Sequence, residues 1–434
     1  MPVYGYADVP ANSWSRPDVD RTTALGIFNG YDDGYFRPER NVTCAEFTKV
    51  LMMCVGETPA PGAQEKLFPE HWASPYISLA YSLGIITESD MRDGFSPDEP
   101  ITRLLMTRMT VRALALEPAY IKSPFADTSD PYVSAAYRAY LLRGYITADG
   151  RRVANGRNSA TRAEAAAIAV RILDYRADSY EYKKQAILEN ARSNYLDTEA
   201  ELMDLFYVLN RELYEEFTFY THLQFEEWYP VYADTKLVHF EYFFSSECVC
   251  SYIPGNNMYV IKLKYPEKMS VMKQQRDSTE KAADRIMADI ITDGMTVDEK
   301  VRAIHDYIVL NCVYDYEGYA AGRISDEAYT AYGALCMGRA VCQGYTNAFN
   351  LLCKKAGVPS ITVMGTAPGN GDTDHAWNLI LKDGRHYGVD TTFDDPVPDV
   401  AGRIDSGYFM MTPDEMKARG YVWDESQIKM EYFH

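Results

Sequence analysis

Apolar positions along the first 174 residues follow a helical period that is interrupted by loops rich in glycine, aspartate and proline. The run PYISLAYSLGII is typical of an apolar helix, and GYDDGYFRPERNV is typical of a loop. This alternation predicts three successive units, each built as helix, loop and helix.

A threonine marks the start of the second helix in every unit. Thr43, Thr102 and Thr161 are separated by 59 residues each, and the first and third are followed three positions later by glutamate. At this spacing the two side chains form a capping box, in which each accepts a hydrogen bond from a free backbone amide. The period predicts modules that bury their apolar faces against one another. The predicted repeats are 1–60, 61–120 and 121–174.

The pattern changes after residue 174. Residues 175–230 are highly charged, with apolar residues at helical spacing, and they predict a helical connector. The stretches LVHFEYFFSSECVCSY and NMYVIKLKYP then carry aromatic and β-branched residues on either side of IPGNN, which predicts a hairpin. Helical and strand patterns continue to the end. The chain is therefore expected to be multidomain, all-α at the N-terminus and α+β over 231–434.

Composition and charge exclude several classes of partner. The chain has 434 residues, 47% of them hydrophobic, but no apolar run approaches the roughly 18 to 20 residues of a membrane span. A formal charge of −19 would repel nucleic acid. The start, MPVYGYADVP, lacks the basic and apolar parts of an export signal. The eight cysteines include no CxxC pair, so we expect neither a metal site nor a cofactor.

Cys342 is the candidate nucleophile. It stands in AVCQGYTNAF, where apolar residues at helical spacing begin, and lysines followed by Gly357 mark the end of that helix. A thiol at a helix start, next to a histidine, is readily ionised. Cys353, in the body of the same helix, is expected to be inert. His305, in an earlier predicted helix, is expected to be a packed or surface residue rather than a catalyst.

A second hairpin supplies the histidine. The stretch DHAWNLILKDGRHYGVDTTFDDP has Asp383-Gly384 at its centre, a strong two-residue turn signal. If Lys382 pairs with Arg385, Trp377 faces Asp390 and His375 faces Thr392. His375, Trp377 and Asp390 then share one face, and Asp390 becomes the diagonal neighbour of His375, within reach of a hydrogen bond.

This arrangement predicts Cys342 as nucleophile, His375 as general base and acid, and Asp390 as the residue that orients the histidine. The first oxyanion donor is expected to be the backbone amide of Cys342. The second could come from Tyr332 or from Gln343. Trp377 could shield the pair from water, floor a substrate cleft, or merely pack the hairpin. The loop GNGDTD, 369–374, is expected to be a lip of the cleft rather than a calcium site.

The N-terminal repeats resemble S-layer homology domains, on the strength of GYDDGYFRPERNVTCAEF and TRAEAAAIAVRIL. The resemblance implies a three-lobed helical pseudo-trimer that binds secondary polysaccharides of bacterial cell walls through the arginine of the TRAE motif, here Arg103 and Arg162. Cys44 stands where the first repeat should have this arginine, so one groove could be inactive, and a purely structural role for the repeats stays open. The resemblance also implies an extracellular, wall-associated protein whose export signal has been trimmed from this sequence.

The C-terminal stretches around Cys342, His375 and Asp390, together with YFMMTPDEM, resemble the transglutaminase-like superfamily, a papain-related fold. This resemblance implies acyl transfer on an amide of a peptide or protein through a thioester. Hydrolysis and crosslinking share that intermediate, so both stay open. The alternative from another class is a surface scaffold or adhesion protein whose papain-like domain is vestigial and non-catalytic.

Overall fold

A computed structural model divides the chain into two compact units, Met1–Ala186 and Ile187–His434. The structure describes residues 5–60, 67–120, 123–239, 241, 245–368, 374–395, 397–400 and 402–429. Across these ranges, none of the helices combines the length and the apolar character needed to cross a membrane.

The first unit is built mainly from helices, as its sequence pattern predicts. Thr43, Thr102 and Thr161 each cap the helix that follows, and their hydroxyls accept the backbone amide three residues on. The capping boxes predicted at the first and third positions are both complete. The elements are α1 Arg16–Ala24, α2 Cys44–Cys54, α3 Ser74–Ser82, α4 Glu88–Arg92, α5 Arg103–Ala113, α6 Pro131–Arg138, β1 Tyr145–Ile146, β2 Arg152–Val153 and α7 Arg162–Ala177, and α8 Ser179–Ser193 spans the boundary between the units.

The segments before the three capped helices close into a ring. The amide of Val42 donates to the carbonyl of Ala160 at 3.0 Å, Ala160 donates to Ile101 at 2.9 Å, and Ile101 donates back to Val42 at 3.0 Å. These three buried residues are themselves 59 positions apart. The three capped helices therefore begin around a common centre.

Over its described residues, the second unit combines helices with three sheets. The strands are β3 Glu216–Tyr220, β4 Glu247–Ile253, β5 Met258–Lys264, β6 Val313–Tyr314, β7 Arg339–Ala340, β8 Ser360–Thr366, β9 His375–Lys382, β10 Arg385–Val389 and β11 Val422–Trp423. A four-stranded sheet has the order β10-β9-β8-β11, a three-stranded sheet has the order β3-β5-β4, and β6 pairs with β7 in parallel. The helices are α9 Glu199–Arg211, α10 Phe225–Val238, α11 Met269–Ile290, α12 Val297–Asn311, α13 Tyr316–Ala320, α14 Cys342–Ala356 and α15 Pro413–Arg419, with short 3₁₀ turns at Asp326–Tyr329 and Glu425–Gln427 and a π-helical turn at Gly333–Met337.

The structure corrects the prediction of an all-helical connector over 175–230. Strand β3 lies inside this range and pairs with β5, because Phe217 and Phe219 alternate with polar neighbours and bury one face. The hairpin predicted around IPGNN is confirmed between β4 and β5. Its first strand begins later than expected, at Glu247, since α10 occupies the chain as far as Val238.

The second hairpin has the predicted register, but it is shorter than expected. Lys382 pairs with Arg385, and both turn residues have positive φ, 50° at Asp383 and 70° at Gly384, as a type I′ turn requires. The ladder ends where Asn378 pairs with Val389, so the expected pairings of Trp377 with Asp390 and of His375 with Thr392 do not form. The chain leaves the sheet at Asp390 because its amide donates instead to the carbonyl of Tyr408, at 3.0 Å.

Candidate active site

Cys342 is the first residue of α14, as the sequence predicts. The short parallel pair of β6 and β7 delivers the chain to this point, and Val341 occupies the cap position in an extended conformation. The helix begins with free backbone amides and the positive end of its dipole, an environment that favours a thiolate. Because Cys342 is only partly exposed, its thiol can meet both a buried base and an incoming substrate.

Gly344, in the first turn of α14, holds the helix start against its support. A Cβ at this position would lie 2.4 Å from the carbonyl oxygen of Ala328 and 2.7 Å from the Cβ of Ala340. These contacts are too short for any side chain other than hydrogen. Gly344 thus allows the start of α14, which carries the thiol of Cys342, to pack closely against Ala328 and Ala340.

We predict that Gly344→Ala lowers the free energy of unfolding by about 1–3 kcal/mol through overpacking and slows alkylation of Cys342. Urea unfolding and timed labelling measure the two effects. Gln343→Ala is the matched control, because its half-buried side chain lies in the same turn, and its stability should stay within about 0.5 kcal/mol of the parent. An unchanged unfolding midpoint for Gly344→Ala would contradict this prediction and show that the neighbouring turn moves to accommodate the added methyl group.

His375 is held in place from three sides. Its Nε2 lies 2.7 Å from Oδ2 of Asp390, and the ring of Phe393 stacks on it at 4.5 Å between centroids. The thiol of Cys342 also interacts with the imidazole. The side chain is 2% exposed. The structure therefore brings together the cysteine, histidine and aspartate that the sequence predicts as a triad.

Electrostatics keep the imidazole of His375 protonated at neutral pH. Burial alone would lower the pKa of His375, but the carboxylate of Asp390 and the hydrogen-bonded thiol of Cys342 raise it to about 10. An imidazolium of this kind stabilises a neighbouring thiolate and holds a proton that can be given to a leaving group.

The carboxylate of Asp390 is fully buried, and each of its oxygens accepts a hydrogen bond. Oδ1 accepts the backbone amide of Phe393 at 3.1 Å, and Oδ2 accepts the hydroxyl of Tyr421 at 2.7 Å in addition to the imidazole. Tyr421 was not predicted from the sequence, since it lies 31 residues beyond its partner and no local pattern connects the two.

Trp377 lies behind the histidine rather than in a cleft. Its side chain is fully buried, and its ring packs against Tyr421 at 5.0 Å and against Trp423 at 5.9 Å, with His375 at 6.1 Å. Of the three roles left open by the sequence, shielding and packing fit this position, and flooring an open cleft does not. Residues 369–373 of the predicted lip lie outside the described residues.

The two candidate oxyanion side chains differ in position. Gln343 is the second residue of α14 and is half-buried. Tyr332 lines a small cavity of about 20 Å³ that Met272 and Thr279 also line. The tyrosines that interact electrostatically with Cys342 are Tyr314 and Tyr329, which the sequence did not single out. Burial and the neighbouring thiol raise the pKa of both, so their hydroxyls remain donors near the reacting sulfur.

A second histidine and aspartate are buried beneath the site. His305 and Asp394 are both fully buried, with Nε2 and Oδ2 at 3.1 Å. The amide of Asp394 donates to the carbonyl of Asp390, and its carboxylate accepts the amide of Tyr408. His305 is thus packed rather than on the surface. The hydrogen bonds of Asp394, the partner of His305, connect the two loops that carry Asp390 and Tyr408.

In the first unit, one trio of side chains occurs twice. Arg103 contacts Tyr145 and Glu164, and its guanidinium lies 4.6 Å from the tyrosine ring centroid. At the equivalent positions, the guanidinium of Arg162 lies 4.8 Å from the ring of Tyr31 and 3.6 Å from Glu46. The third position has Cys44 and Leu105 in place of the arginine and the glutamate, as the sequence indicates.

The side chain of Arg162 points inward, into the first repeat. It is 3% exposed, Nε donates to the carbonyl of Phe36 at 2.9 Å, and a terminal nitrogen donates to that of Asn29 at 2.8 Å. Burial lowers the pKa of Arg162 to about 10. The loop of the first repeat folds over this side chain, which the helix pattern alone could not indicate.

Arg103, by contrast, lines an open cavity of about 450 Å³. The lining of this cavity is mainly apolar, but it also contains charged and aromatic side chains that are exposed or half-buried. They include Trp14, Arg103, Arg143, Tyr145, Glu164 and Arg171. Three arginines and two aromatic rings in one cavity can bind an anionic sugar, through ion pairs and ring stacking.

Comparison with known sequences identifies both parts of the chain. The profile of the S-layer homology domain matches residues 5–48 and 68–104, and the profile of the transglutaminase-like superfamily matches residues 283–391. The chain therefore carries S-layer homology domains at its N-terminus and a transglutaminase-like domain near its C-terminus. The third repeat, 121–174, lies outside the matched spans and stays a prediction from the sequence period.

Individual relatives match over limited lengths. Human kyphoscoliosis peptidase is 30% identical over 142 residues, which is 31% of this chain and 21% of that protein. Cell surface glycoprotein 1 of Acetivibrio thermocellus is 32% identical over 141 residues, 29% of this chain and 6% of that protein. This chain thus spans only a small part of either relative. The S-layer homology domains indicate a cell-surface location.

Among solved structures, one described as a TGase is 16% identical and covers 41% of this chain and 50% of its own, with a TM-score of 0.24. At this score the likeness is too distant to support a structural argument. The assignment of the domain therefore depends on the sequence profile.

Proposed function

We propose that this chain is a wall-associated surface protein of bacteria whose second unit catalyses thiol-dependent acyl transfer on amides of peptides or proteins. The observation that carries the proposal is the position of His375, a buried side chain that pairs with Asp390 and interacts with the thiol of Cys342. The name of the human relative, a peptidase, agrees with this chemistry. A vestigial domain would have no need for a complete and buried triad.

The first half-reaction starts from the thiolate of Cys342 and the protonated imidazole of His375. The thiolate of Cys342 attacks the amide carbonyl carbon, and backbone amides at the start of α14 stabilise the developing oxyanion. His375 donates its proton to the departing nitrogen, the carbon–nitrogen bond breaks, and an amine leaves. The acyl group remains on sulfur as a thioester, while Asp390 keeps the now neutral imidazole in the correct tautomer.

The second half-reaction reverses the proton flow. His375 takes a proton from water or from a second amine as that nucleophile attacks the thioester carbon. The carbon–sulfur bond breaks, and the thiolate returns beside the imidazolium. Water gives hydrolysis, and an amine gives a new amide. Both outcomes use the same residues, so the nucleophile that reaches the thioester decides the reaction.

For the first unit, we propose binding of a secondary cell-wall polysaccharide in the cavity around Arg103. The support is the open cavity of about 450 Å³ with its arginine and aromatic lining. Arg162 is held inside the first repeat, since its guanidinium already has the carbonyls of Phe36 and Asn29 as partners. This division of roles refines the expectation that both arginines line binding grooves.

A peptide library incubated with the full chain, with and without an added primary amine, tests the proposed reaction. We expect cleavage without amine or amine incorporation with it, and we expect Cys342→Ser to abolish both. Mass spectrometry of the products distinguishes hydrolysis from transamidation. A covalent adduct on Cys342 with no turnover of any peptide would instead favour the non-catalytic scaffold.

A further inference from the structure

Asp390 shares one oxygen between two donors of different chemistry. Oδ2 lies 2.7 Å from Nε2 of His375 and 2.7 Å from the hydroxyl of Tyr421. Burial and the adjacent carboxylate raise the pKa of Tyr421, so its hydroxyl keeps its proton and donates a hydrogen bond to Asp390. The phenol and the imidazole therefore compete for the same negative charge.

Tyr421 is fixed in this position by the chain that follows the matched domain. It lies between α15 and β11, is 1% exposed, and packs against Trp377. Strand β11 then pairs with β8, where Trp423 lies opposite Gly365, and Gly365 in turn pairs with His375. A segment beyond residues 283–391 thus reaches the catalytic strand through backbone hydrogen bonds and inserts a hydroxyl at the aspartate.

We propose that Tyr421 is a positioning residue that limits how strongly Asp390 holds the proton on His375. This inference rests on the acyl-transfer function proposed above and adds a control on its proton transfers.

The physical reason is a balance of hydrogen bonds at one carboxylate. A donor to a charged acceptor stabilises that charge and reduces its attraction for other donors. If Asp390 had only the imidazole as a partner on Oδ2, it would stabilise the imidazolium more strongly. His375 would then give its proton less readily to the departing amine. With the hydroxyl of Tyr421 present, Asp390 still orients His375, but the imidazole is not so basic that it retains its proton during the reaction.

Other ionisable groups face this pair and must be kept constant in any test. On α14 the group is the thiol of Cys342, and on the loops around Asp390 they are the phenol of Tyr408 and the carboxylate of Asp394. Tyr314 and Tyr329 interact electrostatically with the thiol. Tyr421→Phe leaves all of these groups in place and removes a single oxygen atom.

The test compares two alkylating reagents on the full chain between pH 6 and pH 11. Iodoacetate is anionic and is attracted by the imidazolium, whereas iodoacetamide is neutral. The rate of alkylation of Cys342 by iodoacetate divided by its rate with iodoacetamide, both measured by mass spectrometry, should therefore fall as His375 loses its proton. In Tyr421→Phe we expect this fall to move to higher pH by about half a unit or more.

Tyr387→Phe is the matched control, because it removes the same hydroxyl from a half-buried ring on β10 of the same hairpin, opposite Ile380, and leaves the groups that face the pair unchanged. Its profile should coincide with that of the parent. A parental profile in Tyr421→Phe, or a shift to lower pH, would overturn the role of Tyr421 while leaving the proposed function intact. If the rate ratio of the parent shows no fall that depends on His375, the result contradicts the proposed function itself rather than the role of Tyr421 alone. Normal iodoacetamide labelling of Tyr421→Phe at pH 7 shows that its site is folded.

Discussion

His375→Ala is expected to slow alkylation of Cys342 by iodoacetamide at pH 6 by about tenfold to a hundredfold, since the imidazolium that stabilises the thiolate is lost. Acyl transfer to any substrate should fall further, by about 10²- to 10⁴-fold, because the same ring supplies the general acid and base. Rates are read from the Cys342 peptide by mass spectrometry. The exposed Cys336 serves as a reference thiol in each sample.

The control for this prediction is another histidine on the same hairpin. His386 lies on β10 opposite Leu381, and His386→Ala makes the same chemical change without touching the pair. It should leave the labelling rate of Cys342 within about twofold of the parent. If His375→Ala also labels at the parental rate, Cys342 is an ordinary thiol and its position at a helix start has no chemical consequence.

Arg162→Ala is expected to lower the free energy of unfolding of the first unit by about 2–4 kcal/mol, because the carbonyls of Phe36 and Asn29 lose their donors and a cavity opens. Arg103→Ala should cost less than about 1 kcal/mol, since its ion pair with Glu164 is partly exposed. Thermal unfolding followed by circular dichroism measures both changes.

Binding to purified secondary cell-wall polysaccharide should show the opposite order. Arg103→Ala is expected to weaken a pull-down of the folded chain by about tenfold or more, since it removes a charged hydrogen bond from the cavity. Arg162→Ala, assayed well below its melting temperature, should bind more nearly like the parent. Equal binding by Arg103→Ala and the parent would show that this cavity is not the binding site.

The sequence could predict those parts of both units that depend on neighbouring residues. The threonine caps, the start of α14 at Cys342 and the register set by Asp383-Gly384 all follow from hydrogen bonds within a few residues. The pairing of His375 with Asp390 could be predicted for the same reason, because the two residues lie on either side of one tight turn. Strand β3 was missed since charged helical segments on either side masked its alternation.

By itself, then, the sequence determined the repeat period, the helix starts and the histidine–aspartate pair, because each arises from a spacing of 2, 3.6 or 59 residues along one chain. Only the tertiary structure decided where β10 ends, which tyrosine reaches Asp390, and that Arg162 is buried while Arg103 lines a cavity. These features depend on loops that pack from distant parts of the chain. Identical motifs therefore acquire different environments, and no local pattern records which loop will cover them.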